Sequence, residues 1–120
     1  MILVIGGAFQ GKSDFVKEKY NIEPVECTCE NGSSVRAINN YEKFIRQMLR
    51  EDKDPVEYTH SLIEKNPGVV VICTEVGMGI VPMDKEERLW REQTGKCLKL
   101  LAAASEEVYR IYAGIEVKIK

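Results

Sequence analysis

Hydrophobic and polar positions divide the chain into blocks of two periodicities. "MILVI" opens it as a continuous apolar run of β-favouring residues. Such a run suits a central parallel strand covered on both faces. Glycines between Gly6 and Gly11 break it, and Lys12 to Tyr20 can form a short helix that turns Phe15, Val16 and Tyr20 toward the sheet. A second strand is predicted over Glu23 to Thr28, and "ENGSS" reads as a turn. A helix is predicted from about Val35 to Arg50, with Ile38, Tyr41, Ile45, Met48 and Leu49 on one apolar stripe. In "DPVE", Asp54 suits an N-cap, Pro55 the first helical position and Glu57 a capping box. That helix should end at Asn66 to Gly68. "VVVICT" is the clearest buried strand, and "EVGMGIVP" follows it directly. Asp84 and Glu87 then open a long helix with a stripe through Trp90, Cys97, Leu101 and Ala104. Gly95 interrupts it at a cost of about 1 kcal/mol relative to Ala, tolerable where another backbone packs close. "EVYRIYAG" and "IEVKIK" make two final strands around Gly114. The last is read as alternating apolar and basic residues, as an edge strand with one wet face does.

Strands alternating with helices indicate an α/β fold with a mostly parallel sheet. The 120 residues and the lack of any linker predict a single domain over 1–120. Net charge is −2, with acids and bases interspersed. No basic stripe is present, so nucleic acid is not an expected partner. No apolar stretch reaches the length of a membrane span, and the first apolar run is too short for a signal peptide. A cytoplasmic protein is the expectation. Cys27, Cys29, Cys73 and Cys97 then read as free, buried, inert thiols. Cys27-x-Cys29 lacks the usual zinc-knuckle spacing. His60, the one histidine, reads as solvated or structural.

"GGAFQGKS", Gly6 to Ser13, sits between a buried strand and a helix and fits the phosphate-loop pattern. Its glycines let successive N–H groups curl around a phosphate without Cβ clashes. The helix behind it adds the positive end of its dipole. Gly6, Gly7, Ala8, Phe9, Gln10, Gly11, Lys12 and Ser13 are therefore the candidate nucleotide site, with ATP or GTP as ligand. Lys12 would reach the β- and γ-phosphates, and the Ser13 hydroxyl would ligate Mg²⁺. An acid near the end of a strand should complete the metal site. Glu26 and Glu75 are both candidates. Gly77 and Gly79 free the backbone just past the carboxyl end of the strongest strand, where α/β sheets collect ligands. Glu75, Val76, Gly77, Met78 and Gly79 thus form a candidate substrate loop.

"ILVIGGAFQGKS", "TEVGMGIVP" and "LAAASEEVYRIYAGIEVKIK" together resemble the bifunctional adenosylcobinamide kinase/adenosylcobinamide-phosphate guanylyltransferases of cobalamin biosynthesis. The resemblance implies a P-loop NTPase-like, RecA-type three-layer fold and a kinase acting on the aminopropanol hydroxyl of adenosylcobinamide. It also implies a second step through a histidine–GMP intermediate, and a homo-oligomer. Residue by residue, it places Gly6, Gly7, Gly11, Lys12 and Ser13 on the phosphate. It matches Glu75 to Gly79 to the glycine-containing loop and Glu26 of "VECT" to the metal-binding strand. Lys12 and Glu75 become the catalytic candidates. Family members carry a longer segment, holding the guanylylated histidine, between the first helix and the metal-binding strand. Only a few residues join those elements here, and none is histidine. Asp14 stands where the family has a basic residue, and Thr74 where it has asparagine. The expectation is a kinase-like phosphotransferase without guanylyl transfer. The alternative is a catalytically degenerate nucleotide-binding sensor or partner subunit.

Overall fold

The structure is a computed structural model that describes residues 1–76 and 84–120. Its elements run β1 (Ile2–Gly6), α1 (Lys12–Tyr20), β2 (Val25–Glu26), β3 (Ala37–Asn39), α2 (Tyr41–Arg50), α3 (Pro55–Lys65), β4 (Val70–Thr74), α4 (Lys85–Ala104), β5 (Glu107–Tyr112) and β6 (Ile115–Lys118). The strands make one six-stranded sheet in the order β2-β3-β4-β1-β5-β6. β5 and β6 pair antiparallel and all other pairs are parallel. β1 lies between the two other long parallel strands, with Leu3 flanked by Val71 and Val108, and Val4 by Ile72 and Tyr109.

Strand alternation sends these side chains into two cores. Leu3, Val71, Cys73 and Val108 meet Tyr41, Ile45 and Met48 of α2, Leu62 of α3, and Cys97 and Leu101 of α4. Val4, Val70, Ile72, Tyr109 and Ile111 meet Val16, Phe15 and Tyr20 of α1 on the other face. The result is a three-layer α/β fold of the expected class, with three helices on one face and one on the other. Among the described residues, no helix is long and apolar enough to cross a membrane.

Four expectations need correction. The helix expected from Val35 begins only at Tyr41, because Ala37–Asn39 is a strand pairing β4. Ile38 fits both the helical stripe and a strand; pairing with Val71 decides for the strand. The second strand shrinks to Val25–Glu26 at the sheet edge. Ala104 is exposed at the end of α4, and among the described residues no backbone of another element lies within 4 Å of where a Cβ on Gly95 would sit. β6 is the edge strand expected, but it is exposed on both faces, not one. The cap of α3 is as read: Asp54 accepts from the N–H groups of Val56 and Glu57, with Pro55 behind it.

Candidate functional site

The loop after β1 is shaped by backbone that only some residues tolerate. An added Cβ at Gly6 would fall 2.5 Å from the carbonyl oxygen of Ile111, so a side chain there would force β1 and β5 apart. Phe9 and Gly11 have left-handed φ of 59° and 91°, while Ala8 and Gln10 between and before them do not. Alternation of this kind turns successive N–H groups toward one side, the geometry of an anion nest. Gly11 caps α1 without any side-chain hydrogen bond, and its carbonyl accepts from Phe15 N–H. The first N–H groups of α1 therefore have no side-chain cap from Gly11, and the positive helix end faces the loop.

Lys12 opens that helix and is only 8% exposed. Its Nζ donates to the Gly7 carbonyl at 2.6 Å. Burial pushes its pKa below the ordinary lysine value, against the opposing pull of Glu42, Cys73 and Glu75. Its side chain is folded onto its own loop, at a place where a phosphate oxygen could replace the Gly7 carbonyl.

Two cavities meet at this lysine. One, of about 180 Å³, is lined by residues of the loop together with Ser13, Asp14, Asn39 and Asn40. The other, of about 370 Å³, lies toward β4 and is lined among the described residues by Phe9, Lys12, Glu42, Arg46, Thr74 and Trp90, with their neighbours. Phe9 stands fully exposed between the two.

The predicted acids lie in different places. Glu26 is exposed on β2, the edge strand three positions from β1, and its Oε1 accepts from Asn40 Nδ2 at 2.8 Å. It reaches the Ser13 cavity only through Asn40. Glu75 is close to the loop: its N–H donates to Gly6 O at 2.8 Å. Both of its carboxylate oxygens are held by Arg110, at 3.0 Å from Nε and 3.1 Å from Nη2. Val76 lines the larger cavity. Gly77, Met78 and Gly79 of the expected substrate loop lie outside the described residues.

Sequence reading missed Glu42. It is 5% exposed, in the first turn of α2, and its Oε1 accepts from Thr74 N–H at 2.9 Å. Its carbonyl accepts from Trp90 Nε1 at 2.7 Å, and Arg46 stacks over the Trp90 ring at 4.4 Å. With the helix expected to start at Val35, Glu42 would fall in its middle and not in a first turn. A polar position bracketed by Tyr41, Phe44 and Ile45 was the available sign that it faces inward.

The thiols are all free. Cys73 and Cys97 are buried as expected, but Cys29 is exposed and Cys27 half-buried. Among the described residues, no group of three or more His, Cys, Asp or Glu side chains could hold a metal ion. His60 is exposed on α3 and lines neither cavity.

Comparison with known proteins turns on the part of the chain beyond this loop. The family described as cobinamide kinase / cobinamide phosphate guanyltransferase (CobU) matches residues 34–119. The phosphate loop lies before that stretch, so its assignment rests on its own pattern and geometry. The chain is 40% identical over 74 residues to the bifunctional adenosylcobalamin biosynthesis protein CobU of Salmonella typhimurium strain LT2, covering 61% of this chain and 41% of that protein. It is 39% identical over 85 residues to the protein of the same name from Escherichia coli strain K12, covering 58% of this chain and 47% of that protein. The chain thus spans less than half the length of these two relatives. With most of its length matched, from the turn before β3 to the end of β6, the chain belongs to the cobinamide kinase / cobinamide phosphate guanyltransferase family.

Proposed function

We propose that the chain binds ATP or GTP with Mg²⁺ on the loop from Gly6 to Ser13 and acts as an adenosylcobinamide kinase-like phosphotransferase of cobalamin biosynthesis. The observation that carries this reading is Lys12: a buried ammonium in the first turn of α1, resting on Gly7 O at 2.6 Å. A bound triphosphate would take the place of that carbonyl. The γ-phosphoryl would leave the nucleoside diphosphate for the acceptor hydroxyl, which gives up its proton. Positioning and charge stabilisation do most of the work in such a transfer. Lys12 and the loop amides would carry the charge, and Glu75, fixed by Arg110, would orient the acceptor hydroxyl.

Mg²⁺ keeps most of its waters and needs few protein ligands. The Ser13 hydroxyl would hold it in a cavity that Asn39 and Asn40 also line, with Glu26 behind Asn40. When bound, the ion would neutralise charge on the β- and γ-phosphates. Guanylyl transfer is not part of the proposal, since the one histidine is exposed on α3 and away from both cavities.

A second reading, a nucleotide-binding sensor or partner subunit without turnover, draws on two observations. Glu75 has both oxygens occupied by Arg110, and the neutral pair of Asn39, the last residue of β3, and Asn40, the N-cap of α2, lines the loop's cavity. The test is titration with fluorescent ATP and GTP analogues, followed by incubation with adenosylcobinamide and detection of its phosphate. Lys12→Ala should weaken binding at least about tenfold, the loss of one charge-assisted contact, and abolish product. Binding without product selects the second reading. No binding of either nucleotide refutes both.

A further inference from the structure

Two of the four thiols share one space at the surface. Cys27, half-buried, and Cys29, exposed, both line a cavity of about 450 Å³ together with Phe44, Gln47, Glu51 and Lys53. Cys73 and Cys97 are fully buried in the core and do not reach it. The backbone around the pair is held. Asn31 Oδ1 accepts from Thr28 N–H at 2.8 Å, Asn31 N–H donates to Thr28 Oγ1 at 3.1 Å, and the Tyr58 hydroxyl donates to Thr28 O at 3.2 Å. Thr28, between the two cysteines, is thereby fixed to the turn after β2 and to α3, and the thiols on either side of it open to the same cavity. Two residues apart, their Cα atoms are at most about 7 Å from each other. That is the outer limit of the span a disulfide bridges, and the chain bends from Cys29 onward.

The two sulfurs are in different company. Lys53 Nζ donates to Cys29 Sγ at 3.7 Å, and Cys29, with Glu51, holds that ammonium above its ordinary value. A cation against an exposed sulfur is the setting in which a cysteine attacks oxidants. Cys27 Sγ lies 3.7 Å from the Tyr58 hydroxyl, and burial pushes its thiol up to about 11, so it stays protonated at neutral pH. One thiol is placed to react first and its neighbour to react second. Glu30 and Glu51 outnumber Lys53 along the cavity wall, which disfavours an anionic reagent such as glutathione disulfide and favours a small neutral one.

We infer that Cys27 and Cys29 form a peroxide-reactive dithiol, in which a hydroperoxide oxidises Cys29 first and Cys27 then closes the disulfide. The Cys29 sulfur, as thiolate, attacks the terminal oxygen of the hydroperoxide. The O–O bond breaks, Cys29 becomes a sulfenic acid, and the other oxygen takes a proton and leaves as an alcohol, or as water from hydrogen peroxide. Lys53 steadies the anionic sulfur before the attack and the departing oxygen after it. The Cys27 thiol then gives up its proton, and its sulfur attacks the Cys29 sulfur. The S–O bond breaks and hydroxide leaves as water. Two thiols thus lose two electrons and two protons, and the hydroperoxide takes up both. Nothing in the sequence of steps depends on a bound nucleotide.

The experiment exposes the full, reduced chain to hydrogen peroxide at pH 7, blocks the remaining thiols with iodoacetamide in denaturant, and reads intact and peptide masses. The wild type should lose two hydrogens and keep two of its four thiols, with the new bond mapped between Cys27 and Cys29 and reversed by dithiothreitol. Cys27→Ser should stop at a Cys29 sulfenic acid that dimedone traps. Cys29→Ser should consume peroxide at least about tenfold more slowly. Lys53→Met should slow the reaction by roughly threefold, the worth of an exposed charged contact, and Lys53→Arg should restore the rate. Circular dichroism checks that each variant folds, and the bond mapped in the unaltered chain depends on none of them. Four free thiols after treatment, a bond between two chains, first oxidation at Cys73 or Cys97, or faster reaction with glutathione disulfide than with hydrogen peroxide would each overturn the proposal.

Discussion

Replacing Gly95 by alanine should stabilise this protein. Gly95 is the eleventh of the twenty residues of α4, far from both caps. Its φ is not left-handed, and among the described residues, outside its chain neighbours and its own stretch of helix backbone, no heavy atom lies within 4 Å of the position its Cβ would take. The neighbouring Thr94, Cys97 and Leu101 make the buried stripe, so the new methyl would clash with none of them. What remains is the backbone term. Glycine in a helix interior costs about 0.8–1.0 kcal/mol relative to alanine, because the unfolded chain loses more freedom on folding. With almost no new contact, the gain should be close to that figure, raising Tm by about 4 °C for a domain of this size. Urea unfolding followed by far-ultraviolet circular dichroism measures it: the midpoint should rise and the slope should stay the same. An unchanged or lower midpoint would refute the reasoning. It would mean that something does approach Gly95 in solution.

Two further outcomes follow from the same structure. Gln10 accepts from Ala113 N–H through Oε1 at 2.6 Å, so Gln10→Ala should cost about 1 kcal/mol and weaken nucleotide binding by loosening the loop; unaltered affinity in a fluorescence titration would count against that link. Burial pushes the Cys27 thiol up to about 11 and also raises Cys73 and Cys97. Ellman's reagent at pH 8 should therefore modify Cys29 alone in the native chain. Thiols raised in the folded state favour it below their unfolded value and lose that contribution as pH climbs. Stability should thus fall between pH 9 and 11, and Cys27→Ser should flatten the decline.

What the sequence disclosed was whatever a single segment decides. β1, the loop, α1, the Asp54 cap of α3, β4 and α4 are each set by a run, a period or a turn residue. The C-terminal hairpin was equally plain, since Gly114 separates two strand runs, and in the structure Ala113 and Gly114 both carry positive φ at the turn. β3 was hidden because three residues cannot display a period of their own. Ala37, Ile38 and Asn39 become a strand through β2 and β4 on either side, and neither partner is adjacent in sequence. Glu42 was hidden by the same error. Once α2 starts at Tyr41, Glu42 falls in its first turn and its carboxylate meets the Thr74 amide at the end of β4.

The loop was legible as a motif but not as a site, and the difference is physical. A glycine-rich turn can curl only if its surroundings hold it, and the residues that hold this one lie far along the chain. Ile111 approaches Gly6 so closely that no Cβ fits between them. Ala113 N–H is taken by the side chain of Gln10, and Gly114 N–H by its carbonyl, at 2.9 Å. Arg110 holds Glu75, whose own N–H is held by Gly6 O. One stretch of β5 and its turn therefore braces the loop, its neighbouring acid and the open edge strand together.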